Sequence, residues 1–207
     1  MASGCLAKVV CSDVKHNFLI HYLAAAGVLA IAPVLFGLSG LSERMAALVL
    51  EILSPVIGTI LMTPVFMPEQ NEGILDVVRS KKTSHTTICF LRLLCSAAVT
   101  VALMAILAGI MRYNDSQVTL RIFVGAAGSA AALGSLGFFA AAVGDSAVVG
   151  YMVSAAYFLM NLFLRDKLGV FSLFNFSGGK TEINLWLYAA AAVLVVIALV
   201  FRRLARK

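Results

Sequence analysis

The fold is decided by an uncharged stretch near the start of the chain. Residues 18–38 read FLIHYLAAAGVLAIAPVLFGL, and no Asp, Glu, Lys or Arg occurs between Lys15 and Glu43. A helix of about 20 apolar residues spans the roughly 30 Å hydrocarbon core of a bilayer. The stretch therefore predicts a helix that crosses a membrane.

The same pattern recurs along the rest of the chain. Charged residues divide it into further apolar segments, which predict five more spans: 45–67, 86–111, 122–143, 147–164 and 183–201. The alternation of polar and apolar residues that is typical of membrane strands does not occur. We therefore expect an all-α, polytopic membrane protein with six transmembrane helices, forming one domain over residues 1–207.

The composition agrees with this prediction. Of 207 residues, 61% are apolar and 13% are charged, against about 45–50% and 25% in soluble domains. About 126 apolar residues supply six helices of about 20 residues each and leave little for a soluble enzyme, a nucleic-acid-binding domain or a disordered chain. The net charge of +6 favours a cytoplasmic membrane edge near anionic lipid rather than a nucleic-acid partner.

The orientation follows from Lys and Arg in the loops, which concentrate on the cytoplasmic side of membrane proteins. With the N-terminus inside, ten of the 16 basic residues lie inside or near the inner interface, with Arg92 among them. The cluster at residues 202–207 strengthens this bias. Both termini are therefore predicted to be cytoplasmic.

Two other stretches predict helix packing. Small residues recur at four-residue spacing in the fourth span, as Gly128–Ala132 and Ala130–Gly134, which fits a dimer or bundle seam as well as ordinary use of Gly and Ala in a crowded helix. The segment at 165–182, between spans five and six, is rich in Leu, Val and Phe. A re-entrant or interfacial outer segment that buries these side chains is more favourable than an exposed apolar loop.

The segment after the second span has an uneven charge distribution. Residues 68–82 read PEQNEGILDVVRSKK, with acidic residues near the start and basic residues near the end. This polarity complements a helix dipole, and Ile74, Leu75 and Val78 form a small apolar face. A short amphipathic helix is predicted at about 69–80 on the cytoplasmic surface, either as a membrane anchor or as a contact for another protein.

This order of spans resembles the membrane subunits of type-2 ATP-binding-cassette (ABC) exporters. In that family the loop after span two carries an acidic residue, a Gly-Thr pair and a second acid. Glu69, Gly73 and Asp76 are similar, with Ile74 in place of the usual Thr and Lys81-Lys82 where the family commonly has Pro. The start of span five at Gly150-Tyr151-Met152 and the apolar outer loop that follows it also resemble the family, which has outer re-entrant helices there.

The resemblance implies a permease subunit that a separate ATPase drives. Glu69, Glu72, Gly73 and Asp76 would form the coupling helix that docks on that ATPase. ATP and Mg would be bound there, so that no cofactor and no catalytic residue is expected in this chain. The resemblance also implies a second permease subunit, the same or similar, in a bacterial cell membrane, and transport in the direction of export. Because the spans hold few charges, we expect an amphiphilic or hydrophobic cargo, such as a peptide, a lipid-like molecule or a drug.

Glu51 is a charged residue within the second span. Ionisable residues in membrane spans are functional candidates, so Glu51 can contact cargo or a proton in a cavity. We favour the other interpretation, in which Glu51 pairs with an arginine such as Arg44, Arg112 or Arg121, or reaches the interface.

Other classes of protein remain as alternatives. A membrane scaffold or assembly protein would use the 69–80 helix to bind a different cytoplasmic partner. An intramembrane serine protease is suggested by Gly37-Leu38-Ser39-Gly40, but a serine nucleophile needs a base within hydrogen-bond reach. His16, His21 and His85 all belong to the opposite ends of the spans. The four cysteines form no Cys-x-x-Cys, so no metal site is predicted.

Overall fold

The fold is a bundle of helices. A computed structural model of the chain describes residues 18–70, 85–164, 167–179 and 182–205 and contains no strand within them. The helices, in order, are α1 (Leu19–Phe36), α2 (Glu43–Met62), α3 (His85–Tyr113), α4 (Leu120–Gly144), α5 (Ala147–Phe163) and α6 (Leu185–Ala205). A 3-10 segment, Thr63–Gln70, continues α2, and a second, Gly169–Phe171, lies between α5 and α6. The all-α prediction is confirmed.

Five of these helices are long and apolar enough to cross a membrane: α1, α2 with its extension to Pro68, α3, α4 and α6. The remaining helix, α5, is apolar but has 17 residues. These helices are consistent with a multi-pass membrane protein, and their bounds lie within a few residues of the predicted spans. The predicted coupling helix at 69–80 lies, beyond Gln70, outside the described residues.

Two tight turns meet at one end of the bundle, which we call the upper end. The backbone N–H of Gly40, between α1 and α2, donates to the carbonyl of Asn114, between α3 and α4, at 2.8 Å. Gln117 N–H returns a bond of 3.0 Å to Leu41 O, and Ser116 Oγ donates to Leu38 O at 2.8 Å. These bonds align α1 and α2 with α3 and α4.

The centre of the bundle is α4, which packs against α2, α5 and α6. The contact with α2 is so close that a Cβ at Gly58 would lie 2.6 Å from the carbonyl oxygen of Ala130, and one at Gly134 would lie 2.5 Å from Sδ of Met62. Small residues let helix backbones approach in this way. The small-residue face of the fourth span therefore forms a seam inside this chain.

The outer helices expose apolar side chains. Only 11% of the α1 span is buried, against 67% of the α2 span, and Val34, Leu35 and Leu23 of α1 are exposed. An exposed apolar surface of this kind is what a lipid-facing helix presents.

Candidate functional site

The loop between α5 and α6 enters the bundle from the upper end. Leu173 and Phe174 are buried and belong to an apolar cluster with Ala132 and Leu133 of α4 and Leu187 of α6. The sequence predicts burial of the rings in this loop. That holds for Phe174, whereas Phe171 stays exposed.

Side chains of α4 and α5 bind the backbone of this loop. Oδ1 of Asn161 accepts a hydrogen bond of 2.9 Å from Leu173 N–H, and Oγ of Ser129 donates to Leu173 O at 2.8 Å. The hydroxyl of Tyr157 donates to Phe171 O at 2.8 Å. Since buried backbone N–H and C=O groups need partners, these polar residues allow non-helical backbone to lie among apolar helices.

Glu51 of α2 holds the end of the same loop. Its side chain is 1% exposed. Oε1 accepts a bond of 2.7 Å from Phe176 N–H, and Oε2 accepts from Ser177 N–H at 3.1 Å and from Ser177 Oγ at 2.5 Å. Carboxylate oxygens accept hydrogen bonds from backbone N–H and hydroxyl groups. The carboxylate therefore fixes two consecutive backbone amides and one hydroxyl.

The site lies well below the upper helix ends. Glu51 follows Glu43, the first residue of α2, by eight residues, and Ser129 follows Leu120, the first residue of α4, by nine. At 1.5 Å per residue, both side chains start about 12–14 Å along their helices. The loop therefore contacts residues about two to three turns inside α2 and α4.

The sequence leaves two interpretations of Glu51 open: contact with cargo or a proton in a cavity, and pairing with a nearby arginine. The structure binds its carboxylate to the 176–177 backbone, and it places Arg44 beside that contact, with Nε donating to Ser177 O at 3.0 Å. Arg44 and Glu51 thus hold the same loop residue from one helix. Neither Ser129 nor Asn161 is predicted from the sequence as a site residue. The signal that could have found Asn161 is the presence of an amide in an otherwise apolar helix, because such amides serve as hydrogen-bonding groups between membrane helices.

A cleft opens beside the loop. It has a volume of about 520 Å³, within the range of small-molecule sites. Its lining combines a carboxylate, two amides and an indole with aliphatic side chains. The lining residues are Val170, Asn175, Gly179, Glu182, Ile183, Asn184, Leu185 and Trp186.

Polar contacts also join the helices at the opposite, lower end. Nη1 of Arg202 lies 2.6 Å from Oδ1 of Asp145, and Nη2 donates to Ala141 O at 3.3 Å. The guanidinium carbon of Arg202 lies 4.6 Å from the ring centroid of Phe66, which in turn stacks on Phe138. Arg202 therefore connects α6 with α4 and with the 3-10 extension of α2.

The structure places Ser39 and His21, which the protease alternative could combine, at opposite ends of α1. Ser39 lies in the exposed upper turn after α1, whereas His21 lies in the first turn of that 18-residue helix. Nδ1 of His21 is 3.2 Å from the hydroxyl of Tyr151 on α5, and that hydroxyl donates to Ile60 O at 3.2 Å. His21 thus joins α1 to α5 and does not meet Ser39.

The side chains of the predicted coupling residues all lie outside the part of the chain that the structure describes. Glu69 lies in the 3-10 segment Thr63–Gln70, but its side chain, together with Glu72, Gly73 and Asp76, lies outside the described residues. Among the residues that are described, no group of three His, Cys, Asp or Glu side chains could hold a metal ion. Arg92, expected to reach the interface, is instead 4% exposed.

Comparison with known proteins does not identify a function, so a function can be proposed only from the sequence, the fold and the candidate site. No model of a known protein family, no curated protein and no solved structure matches this chain.

Proposed function

We propose that this chain is the permease subunit of an ABC exporter and that ATP is hydrolysed in a separate subunit. The observation that supports the proposal most is the packing of the loop between α5 and α6 against the helices, with Leu173 and Phe174 buried. Residues 172–177 lie among α2, α4 and α5 and are bonded to Glu51, Ser129 and Asn161. The exporters that the sequence resembles have outer re-entrant helices at this place in the order of spans.

The direction of α6 supports a sixth crossing. Near the starts of α4 and α6, the hydroxyl of Tyr188 donates to Val124 O at 2.6 Å. Near their ends, Arg202 binds Ala141 O. The two helices are therefore parallel, so the chain between them must return to the upper end. With 17 residues, α5 is about 25 Å long, which suits a slightly short span beside a thinned or locally adapted bilayer.

The placement of charge supports a cytoplasmic lower end. Arg202 and Arg203 lie in the last turns of α6, and basic residues favour the cytoplasmic side. The 69–82 segment follows the lower end of α2, so it would lie on the same side. Glu69, Glu72, Gly73 and Asp76 are proposed to form its contact with the ATPase.

The cargo and the assembly are proposed from the surface of the bundle. An apolar or amphiphilic cargo (a peptide, a lipid-like molecule or a drug) fits spans that carry so few charges. A second permease subunit, the same chain or a similar one, would complete the pathway in the cell membrane of a bacterium. ATP and Mg would belong to the partner ATPase.

Purification of the protein from its native host, with its partners, tests the proposal. We expect a soluble ATPase to co-purify and Glu72→Lys to reduce its recovery by at least about tenfold, because reversal of a charge in an interface places like charges together. Glu43→Lys is the matched control, since Glu43 is exposed at the upper end. A fully assembled and coupled Glu72→Lys complex would refute the coupling role. A partner that binds no nucleotide would favour the scaffold alternative.

A further inference from the structure

Helix α2 connects the loop between α5 and α6 with the lower end of the bundle. In its upper half, α2 carries Glu51, which binds Phe176 and Ser177. Its lower end continues directly into the 3-10 segment Thr63–Gln70. Any displacement of the chain at the lower end of α2 therefore acts on the helix that holds the loop.

The lower half of α2 is tightly packed, so it can move only as a unit. Ile57 and Leu61 are buried, and the backbone of α4 at Ala130 lies against Gly58 with no room for a Cβ. Packed interfaces of this kind switch between discrete arrangements rather than deforming continuously. A push at the lower end is therefore transmitted along α2.

The turn that carries Glu51 is the place where α2 can bend. Pro55 lies inside the helix, four residues after Glu51, and proline has no N–H to donate to the carbonyl of the residue four positions earlier. The helix therefore lacks one backbone hydrogen bond at this turn. Bending there reorients the Glu51 side chain relative to the loop.

We infer that Glu51 is a latch, through which movement of the lower half of α2 releases residues 172–177 from the bundle. The carboxylate binds both amides at once, so a tilt of α2 that draws it away from one weakens its hold on the other. Release frees the loop beside the cleft at the upper end. The inference rests on the proposed function in one respect only: the docked ATPase supplies the movement.

Hydrogen exchange, measured by mass spectrometry on the full chain in lipid nanodiscs, tests the latch. Glu51→Gln keeps the size of the side chain but removes its charge and one acceptor. We expect amide exchange in 172–177 to rise by about tenfold or more, with exchange in α4 unchanged. Glu43→Gln, at the exposed start of the same helix, is the control. Unchanged loop exchange in Glu51→Gln overturns the inference.

A second variant tests transmission along α2. Gly58→Ala places a methyl group against the Ala130 carbonyl and forces α2 and α4 apart, whereas Gly109→Ala on α3 enters open space. We expect Gly58→Ala, but not Gly109→Ala, to accelerate exchange in 172–177 and to add little to Glu51→Gln. Equal exchange in the two alanine variants overturns the transmission step. If Gly58→Ala fails to fold, Gly134→Ala is a milder substitution at the same interface, since its Cβ contacts the Sδ atom of the flexible Met62 side chain most closely.

Hydrogen exchange measured on the assembled complex tests the latch and the proposed function separately. With ATP and Mg, wild-type loop exchange should rise, whereas Glu51→Gln should already be at the higher level and change little. Transport driven by ATP with an unchanged loop overturns the latch and leaves the exporter proposal in place. Absence of any ATPase partner removes the exporter proposal, while the two measurements on the isolated chain still decide the latch.

Discussion

Arg202, near the end of α6, forms an ion pair of 2.6 Å with Asp145, the first residue of the turn between α4 and α5. The two partners differ in environment, because the Arg202 side chain is 7% exposed and that of Asp145 is 71% exposed. Asp145 also has a left-handed backbone, with φ of 47°. The residue therefore has two separable roles, in charge pairing and in the shape of the turn.

Substitutions at Asp145 should separate these roles. Asparagine tolerates the left-handed region but removes the charge, and we expect Asp145→Asn to cost about 1 kcal/mol of unfolding free energy. Asp145→Ala also introduces backbone strain and should cost roughly 1–2 kcal/mol more. Thermal unfolding in detergent measures both. Equal stabilities of the two variants would show that the turn does not constrain this residue.

The stability of the loop between α5 and α6 should depend on the side-chain amide of Asn161 in α5. Asn161→Ala removes the acceptor of Leu173 N–H, and a buried donor left without its partner costs about 1–3 kcal/mol. We expect this loss in thermal unfolding, together with faster amide exchange at Leu173. Asn114→Ala is the matched control, because Asn114 is exposed and donates to Ile110 O within its own turn. Similar losses in both variants would contradict the special position of Asn161.

Because α5 packs closely on α4 at Gly150, a larger residue at this position should destabilise the protein. A Cβ at Gly150 would lie 2.5 Å from the carbonyl oxygen of Gly137 and 2.6 Å from Cγ2 of Thr63. We expect Gly150→Ala to destabilise the protein by about 1–3 kcal/mol. Gly109→Ala should instead stabilise α3 by up to about 1 kcal/mol. Thermal midpoints of the two variants that shift in the same direction would argue against this packing.

The proposed orientation predicts which turns are accessible outside the cell. In a background without the native cysteines, a membrane-impermeant maleimide should label Ser39→Cys, in the upper turn, on intact cells. Ser146→Cys, between α4 and α5, should react only after permeabilisation. The opposite pattern would place the 69–82 segment outside the cell and refute its contact with a cytoplasmic ATPase.

The sequence predicts the helices well because hydropathy and charge spacing report them directly. The stretch at 18–38 contains α1, and the charge-free segment after Arg121 contains most of α4. In both cases the signal is local. The apolar side chains of the 165–182 segment likewise predict the burial that Leu173 and Phe174 show, although Phe171 stays exposed, since their cost in water does not depend on which helices cover them.

The partners of the loop could not be predicted in the same way. Leu173 binds Ser129, 44 residues earlier, and Phe176 binds Glu51, 125 residues earlier. No periodicity links such positions, because they meet only after the helices have packed. Arg92 illustrates the same limit: its place near a helix end suggests that it reaches water, whereas packing buries it.

The contact between Glu51 and the loop has a consequence for biosynthesis. Phe176 is made 125 residues after Glu51, a delay of roughly 6–25 s at about 5–20 residues per second. Throughout that interval the nascent acid has none of the three donors that hold it in the mature protein. The contact between α2 and the loop therefore forms late in synthesis, after the five preceding helices that the structure describes, α1 to α5, have been made.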